Sequence, residues 1–482
     1  MFDYTDLKNR LLRGFIQGDE RLRIEKDTLG KVDLPEDVYY GAQTKRAVDN
    51  FPISGLKMPR RFIKAQGIIK LAAARTNGSL RLIDKKRFRA IEKAAMEVIK
   101  GVHDNHFVVD AYQAGAGTSQ NMNANEVIAN RAIELLGGKK GDYKFVHPND
   151  HVNMAQSTND SIPTAMYISA LEALQDEFVP ALKVLQSALS DKSREFNRIV
   201  KSGRTHLQDA VPIRLGQEFS GYAAAVKNDI HRVQKASVSL LYLPIGGNAV
   251  GTGINAHPKF KNYTIREIRK ITGIKFKSSV NLFEGIQNVN PALEVSASLR
   301  GAAVTLIKIA NDIRLLSSGP RTGFAEIKLP AVQPGSSIMP GKVNPVMAEM
   351  LNMVCFQVIG NDTAIAYAAQ ASQLELNVMM PLIAYNLLFS IEILSNAINA
   401  FTGKCLRGIS ADVKRCGEFA EASLALATAL NPITGYSSAA EISKEAYKTG
   451  KTVRQVVIEK GILKEEEARR ILNLLRLTGH SK

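Results

Sequence analysis

The chain has 482 residues, 45% of them hydrophobic, so it is long enough for two or three domains with a large buried core and is not a small disulfide-stapled fold. Its three cysteines show no CxxC spacing, and neither an apolar run of eighteen residues nor a signal-like N-terminus occurs, so we expect a cytoplasmic protein without a disulfide framework, a zinc site or a membrane span. The net charge of +17 would suit nucleic acid, but the basic residues are dispersed, so we expect a solvated surface that favours dianionic substrates and no nucleic-acid partner.

Residues 1–158 predict a mixed, mostly helical N-terminal domain. A strand-and-turn pattern covers residues 29–35, and helical patterns cover residues 61–78 and 87–104. Strand-like alternation is scarce in the whole chain, so the predicted fold class is mainly α.

A polar, glycine-flanked segment, residues 115–123, precedes a predicted helix that stops at Gly137 and Gly138. Such a segment at a helix N-terminus is a natural anion site, because free backbone N–H groups and the helix dipole face it. Its candidate binding residues are Thr118 and Ser119. Simple helix capping explains a Thr or Ser at this place about as well.

Two further polar clusters follow, at residues 156–163 and 203–210. Their candidate site residues are Ser157, Thr158, Asn159, Thr205 and His206. Alone, His206 is more often a structural histidine with satisfied hydrogen bonds, and Asp160 is more often a helix cap than a base. Several such clusters in one chain favour a common site.

Residues 159–402 predict a central domain built as a bundle of five long helices. Its clearest helix carries an apolar seam from Val295 to Leu316, with spacings that alternate between four and three residues. Seams of this length on several helices exceed what one subunit can conveniently bury, so we expect subunits to associate through them.

Residues 403–482 predict a small helical C-terminal domain. Asn431, Pro432 and Gly435 interrupt its helices, and residues 451–474 carry the charge pattern of a surface helix. No internal repeat or low-complexity tract occurs.

The segment 335–345 contains two glycines and two prolines and therefore predicts a loop of defined shape. Such a loop could aim four side chains at one point: Ser336, Ser337, Lys342 and Asn344. A phosphate-binding loop is excluded, because five residues separate the glycines and Val343 follows the lysine. An ordinary linker is the plainer alternative. The lysine and amide suit a carboxylate, and the serines suit a proton acceptor or a hydrogen-bond donor.

This loop and the three polar clusters strongly resemble the signatures of the aspartase/fumarase superfamily, and the resemblance extends from about Arg23 through the tail. It implies a mainly α, three-domain fold with a central long-helix bundle. It also implies a homotetramer in which three subunits build each active site, and a mobile loop that closes over a small dicarboxylate substrate.

The resemblance implies a role for each candidate residue. Ser336 would remove a proton from carbon, and Lys342 and Asn344 would hold one carboxylate. The residues that would hold the carboxylate next to that carbon are Thr118, Ser157, Thr158 and Ser337. Asn159, Thr205 and His206 would lie near the leaving group.

Proton removal beside a carboxylate gives a doubly charged enediolate, which preorganised donors must stabilise. Hydroxyl and backbone N–H donors can meet this need without a metal or another cofactor. The serine must become alkoxide-like, so its oxygen needs similar donors from the loop backbone.

The leaving group distinguishes the two closest activities within the superfamily. Ser119 after Gly117 and Thr118, Thr158 after Ser157, and Val211 look like aspartases, and residues 373–379 lean the same way. Against this, Met380 replaces the Glu that aspartases usually carry, and residues 246–253 look closer to fumarases. The prediction is an aspartate ammonia-lyase, with class II fumarate hydratase as the alternative. Argininosuccinate and adenylosuccinate lyases match less well, and the intact loop residues argue against a catalytically silent structural relative.

Overall fold

The computed structural model describes residues 21–479. The first 20 residues, on which the prediction of no signal sequence rests, lie outside the described residues. The described chain is mainly helical, as predicted. The helices are α1 Ala42–Asn50, α2 Arg60–Ser79, α3 Lys85–Ile99, α4 Thr118–Leu135, α5 Thr158–Ala173, α6 Val179–Glu195, α7 Leu215–Ser237, α8 Phe260–Thr272, α9 Leu282–Gln287, α10 Asn290–Leu316, α11 Val346–Gln370, α12 Met380–Lys404, α13 Val413–Ala422, α14 Asn431–Thr434, α15 Tyr436–Thr449, α16 Val453–Glu459, α17 Glu465–Ile471 and α18 Leu474–Leu477.

The strands form short two-stranded pairs. They are β1 Leu22–Asp27, β2 Gly30–Pro35, β3 Val200–Thr205, β4 Gln208–Arg214, β5 Tyr242–Leu243, β6 Lys277–Ser278, β7 Ile327–Lys328 and β8 Ser410–Ala411. Three pairs, β1 with β2, β3 with β4 and β7 with β8, are antiparallel, and β5 with β6 is parallel. Among the described residues, each sheet has two strands, so helix packing supplies the cores.

The chain divides by compactness into two units. Unit 1 contains the described residues up to 172, then 239–293 and 364–388, and unit 2 contains residues 173–238, 294–363 and the described residues from 389. Three of these boundaries fall within α10, α11 and α12. The three domains that the sequence predicts, with boundaries at 158 and 402, stay a prediction.

Unit 1 has an apolar core in which α2, α3 and α4 pack together, with Ile91, Val98 and Val127 among its fully buried residues. A buried carboxylate joins the start of α1 to this core. Glu126 on α4 accepts hydrogen bonds from the backbone N–H groups of Gly41, Gln43 and Thr44 and from the Thr44 hydroxyl. Burial raises the pKa of Glu126 to about 7, against the opposite effect of these donors.

The long-helix pattern predicted for the middle of the chain is present. The seam residues of α10 are all buried in the single chain: Val295, Leu299, Ala302, Leu306, Ile309, Ile313 and Leu316. This seam is therefore covered without a partner subunit, and other helix faces must supply any contact between subunits. Met380–Gly408 is long and apolar enough to cross a membrane, with a mean hydropathy of 1.4, but 61% of the window is buried within the chain, as in core helices of soluble proteins.

Candidate active site

The candidate residues fall into the two units. Thr118, Ser119 and residues 157–159 belong to unit 1, whereas Thr205 and His206 belong to unit 2. Unit 2 also contains the four candidates of the loop, Ser336, Ser337, Lys342 and Asn344. Their assignment as site residues stays a prediction.

In unit 1 the N-terminal ends of α4 and α5 lie side by side. Gly117, with φ +83°, precedes α4, and a Cβ at this position would lie 3.2 Å from the side chain of Ile162 on α5. Thr118 is the first residue of α4 and is exposed, while Ser119 is buried. The cap position is Gly117, which has no side chain, so Thr118 does not cap its helix.

Thr158 and Ser157 stand half-buried at the start of α5. Asn121, one turn into α4, donates from Nδ2 to the Thr158 hydroxyl oxygen over 3.2 Å. The Ser157 hydroxyl oxygen accepts from the backbone N–H of Asn159 over 3.2 Å. Both hydroxyl oxygens act as acceptors within the protein, which leaves their protons able to be donated to an anion.

Asp160 is not an exposed base but a buried residue whose hydrogen bonds join two segments of the chain. Its Oδ1 accepts from the Ser157 N–H at 2.9 Å, and its Oδ2 accepts from the N–H groups of Gly246 and Asn248 at 2.9 and 3.1 Å. Burial raises the pKa of Asp160 to about 6, while these three donors and the charge of Lys70 lower it. The carboxylate thereby ties the start of α5 to the turn at residues 246–253.

The same turn orients Asn159. The Nδ2 of Asn159 donates to the carbonyl oxygen of Ala249 over 3.0 Å. Because a carbonyl can only accept, the amide nitrogen must face Ala249, and Oδ1 points to the opposite side of the amide. The half-buried Asn159 therefore presents an acceptor away from the turn.

His206 lies at the tip of the hairpin formed by β3 and β4. Thr205 pairs with Gln208, so the turn has two residues, His206 and Leu207, with φ values of 55° and 59°. Such turns favour Asn and Gly, and a non-glycine residue in this region costs about 1–2 kcal/mol. Backbone strain of this kind concentrates at functional sites. His206 is exposed, so it is not a structural histidine satisfied inside the chain.

Arg204 anchors this hairpin. Its guanidinium Nη1 donates to both carboxylate oxygens of the fully buried Glu326 at 3.0 Å. The guanidinium Cζ lies 4.1 Å from the ring centre of Phe324. Lys201 contacts the same carboxylate at 3.2 Å. The rigid base explains how the chain can hold a strained two-residue turn at its tip.

The glycine-rich loop is closed at its neck by three groups. Gly335 donates its N–H to the Lys342 carbonyl at 2.8 Å, and Asn344 Nδ2 donates to the Gly335 carbonyl at 2.6 Å. A Cβ on Gly335 would lie 2.7 Å from the Lys342 carbonyl oxygen, so only glycine fits the neck. The loop residues line a cleft of about 480 Å³ that includes Ser336.

Two backbone N–H groups face the hydroxyl oxygen of Ser336. Its Oγ accepts from the backbone N–H groups of Ile338 and Met339 at 3.2 and 3.0 Å. Donors to an oxygen favour its charged form, so the turn stabilises an alkoxide. Ser337 and Lys342 are exposed beside it, as are the apolar side chains of Ile338 and Met339.

Comparison with known proteins assigns the family. A family described as Lyase matches residues 30–360, and one described as Fumarase C C-terminus matches residues 426–479. The chain belongs to the aspartase/fumarase superfamily. It is therefore a lyase of this superfamily, and the fold class that the sequence predicts is confirmed.

Relatives within the superfamily carry two activities. An aspartate ammonia-lyase from Bacillus sp is 49% identical over 95% of this chain and 97% of its own length. A class II fumarate hydratase from Halobacterium salinarum is 52% identical over 94% of this chain and 96% of its own length. Overall identity therefore does not separate ammonia from water as the leaving group.

Solved structures of the superfamily share the fold. A fumarate lyase:delta crystallin from Brucella melitensis, bound to cobalt, has a TM-score of 0.93 and 48% identity, covering 95% of this chain and 100% of that chain. A class II fumarase from Schistosoma mansoni has a TM-score of 0.92 and 39% identity, covering 95% of this chain and 99% of that chain.

The partners that orient the candidates carry no clear signal in the sequence. Lys70, Asn153 and Glu326 were not singled out, and Asn121 and Arg204 appeared only within their clusters. One feature of the sequence could have indicated that Lys70 is buried, because it stands in the apolar run from Ile68 to Ala74. Partners distant in the sequence could not be paired without the packing of the helices.

Gly335→Ala tests the neck of the loop. We expect kcat to fall by about a hundredfold or more, because the new methyl group forces the Lys342 carbonyl away and misplaces Ser336. The thermal midpoint should change little, since the loop is exposed. Gly417→Ala on α13, where a Cβ meets open space, is the matched control and should retain full activity. Near-normal activity of Gly335→Ala would contradict the importance of the closed neck.

Proposed function

We propose that this lyase removes ammonia from L-aspartate to give fumarate. The single observation that carries the choice is the orientation of Asn159, whose Nδ2 is taken by Ala249 so that Oδ1 is the atom it can offer to a ligand. A protonated amino group brings three donors and a positive charge to this acceptor, whereas the hydroxyl of malate brings one neutral donor. Ser119 and Thr158, which resemble aspartases, support the same choice.

Ser336 acts as the base in the proposed reaction. The Ser336 Oγ alkoxide, stabilised by the Ile338 and Met339 N–H groups, takes the C3 proton, and the C3–H electron pair moves into a bond between C3 and the adjacent carboxylate carbon. Charge develops on the adjacent carboxylate as the enediolate forms. The donors proposed for this carboxylate are Thr118, Ser157, Thr158 and Ser337.

Collapse of the enediolate returns the pair to form the C2=C3 double bond and breaks the C2–N bond, and the nitrogen leaves with the bonding pair as ammonia. Lys342 and Asn344 hold the second carboxylate in this proposal, and Asn159, Thr205 and His206 surround the leaving nitrogen. Closure of the loop would exclude water and strengthen each of these contacts.

Fumarate hydration is the second candidate function. Residues 246–253 resemble fumarases, and Met380, which stands where aspartases usually carry Glu, is fully buried and apolar. The Halobacterium salinarum relative, a fumarate hydratase, is 52% identical. The same Ser336 chemistry would serve this reaction with water as the leaving group.

Direct assay distinguishes the two functions. The purified protein is incubated with L-aspartate and, separately, with L-malate, and fumarate is followed by its ultraviolet absorbance. We expect fumarate from L-aspartate, because the acceptor on Asn159 suits an ammonium group. Fumarate from L-malate alone would replace the proposal by fumarate hydratase.

Ser336→Ala should lower kcat by at least about a thousandfold with either substrate, because the reaction loses its base. The neighbouring Ser337→Ala is the matched control, and it should mainly raise KM because it removes one carboxylate donor. Size-exclusion chromatography and circular dichroism check that both variants assemble and fold. A Ser336→Ala rate within tenfold of the parent would mean that another group takes the proton.

We further propose that the protein is a cytoplasmic homotetramer. On α11, Met353, Phe356 and Tyr367 are exposed by 64%, 57% and 67% in the single chain, and their spacing puts them on one face of the helix.

The three cysteines, Cys355, Cys405 and Cys416, are free and buried, and burial raises the pKa of each to about 12. Unreactive thiols of this kind suit a reducing compartment.

Phe356→Glu should split the assembly, because a charge on this apolar face opposes its burial. Light scattering should give four times the 52.7 kDa chain mass for the parent and a smaller multiple for the variant. Leu29→Glu, at an exposed leucine in the turn between β1 and β2, is the control that should leave the mass unchanged. An unchanged mass for Phe356→Glu would remove this face from the interface.

A further inference from the structure

Lys70 is a buried cation held by amides alone. It lies in the middle of α2 with 1% of its surface exposed. Its Nζ donates to Asn121 Oδ1 at 2.9 Å, to Asn153 Oδ1 at 2.9 Å and to Gln156 Oε1 at 3.0 Å. These three acceptors use all three protons of the ammonium group. Among the described residues, no carboxylate forms an ion pair with it, although Asp160 acts on it from a greater distance.

This arrangement is costly for the fold. Taking an ammonium group out of water without an ion pair disfavours the charged form, and burial lowers the pKa of Lys70 to about 7. An apolar residue of similar length would fit the run from Ile68 to Ala74 without this cost. The three amide oxygens are what a protonated lysine requires, so the site is built around the cation.

Lys70, together with Asn153, fixes which way the Asn121 amide faces. Because Oδ1 accepts from Lys70, Nδ2 must lie on the other side, where it donates to Thr158 Oγ1 over 3.2 Å and to Asn153 Oδ1 over 3.2 Å. A flipped amide would place its oxygen toward the Thr158 hydroxyl. Thr158 would then donate inward to Asn121 and could not donate to a ligand.

We propose that Lys70 is a positioning residue that, through Asn121, turns the Thr158 hydroxyl outward as a donor to the substrate carboxylate. The inference rests on the carboxylate-binding role proposed above for Thr158. Each donor in the series polarises the next, from the ammonium to the amide and from the amide to the hydroxyl. The positive charge of Lys70 adds to the stabilisation of the enediolate.

Asn121→Asp tests the orientation with a nearly isosteric change. The new carboxylate keeps an acceptor for Lys70 but removes the donor to Thr158, whose proton then points inward. With whichever of L-aspartate and L-malate the parent consumes, we expect kcat/KM to fall about tenfold to a hundredfold, the effect of one lost hydrogen bond to a charged group.

Asn153→Asp is the matched control. Asn153 accepts from the same Lys70 nitrogen, but its Nδ2 donates to the carbonyl of Gln156 and not to Thr158. We expect its kcat/KM to stay within about threefold of the parent, because the hydroxyl of Thr158 keeps its donor. Equal losses in the two variants would overturn the proposal.

A double-mutant cycle separates positioning from a structural role. Lys70→Met should lower kcat/KM about tenfold or more in the parent and hardly at all in a Thr158→Val background, because the hydroxyl it orients is gone. Equal losses of kcat/KM in both backgrounds would overturn the positioning role of Lys70 but would leave the proposed role of Thr158 intact. Unchanged kcat/KM in Thr158→Val would remove Thr158 from the carboxylate site, and this inference with it.

Lys192→Met provides a control for the cycle. Lys192 is also a buried lysine, but it lies in unit 2 and bonds to Glu195 and the Ile409 carbonyl. Its effect on kcat/KM should be the same with Thr158 or Val present at position 158. The Asn121 and Asn153 pair decides the proposal by itself if Lys70→Met does not fold.

Discussion

The carboxylate of Asp160 is the constraint on which the candidate site in unit 1 depends. It accepts from the backbone N–H groups of Gly246 and Asn248, which lie 86 and 88 residues further along the chain, and it is fully buried. A buried carboxylate is tolerated only when its oxygens are well bonded, so the start of α5 and the turn at residues 246–253 must keep their places. The side chain of Asn159 donates a hydrogen bond to the same turn, so the position of the turn also sets the orientation of Asn159.

The interior around Asp160 is polar. Lys70, Asn121 and Gln156 are all buried, and their mutual hydrogen bonds satisfy groups that an apolar core would exclude. Such networks cost stability but hold side chains in one arrangement. Preorganisation of this kind lets hydroxyl donors meet developing negative charge without first reorganising.

In unit 2 the candidate residues lie on a hairpin tip and a loop, where Ser336 and Asn344 are half-buried and the others are exposed. In the hairpin, the pair of Arg204 and Glu326 provides the rigid base, and the strained turn carries His206. In the loop, the hydrogen bonds of Gly335 and Asn344 close the neck. Exposed side chains are accessible to a substrate. Because the segments that carry them are anchored at their base, less conformational entropy is lost when a substrate binds.

The sequence by itself determined the helices, the seam of α10, the loop and the superfamily, because each is written in local spacing or in a continuous motif. The clusters around Thr118, Thr158 and His206 were also visible as dense polar segments. Only the tertiary structure decided that Asp160 braces a distant turn and that Lys70 meets Asn121, 51 residues away, which in turn meets Thr158, 37 residues further on. These contacts depend on how helices pack, and packing places residues together regardless of their separation in the chain. For the same reason, the sequence does not show in which direction Asn159 and Thr158 present their polar atoms. Their hydrogen-bond partners in the structure show it.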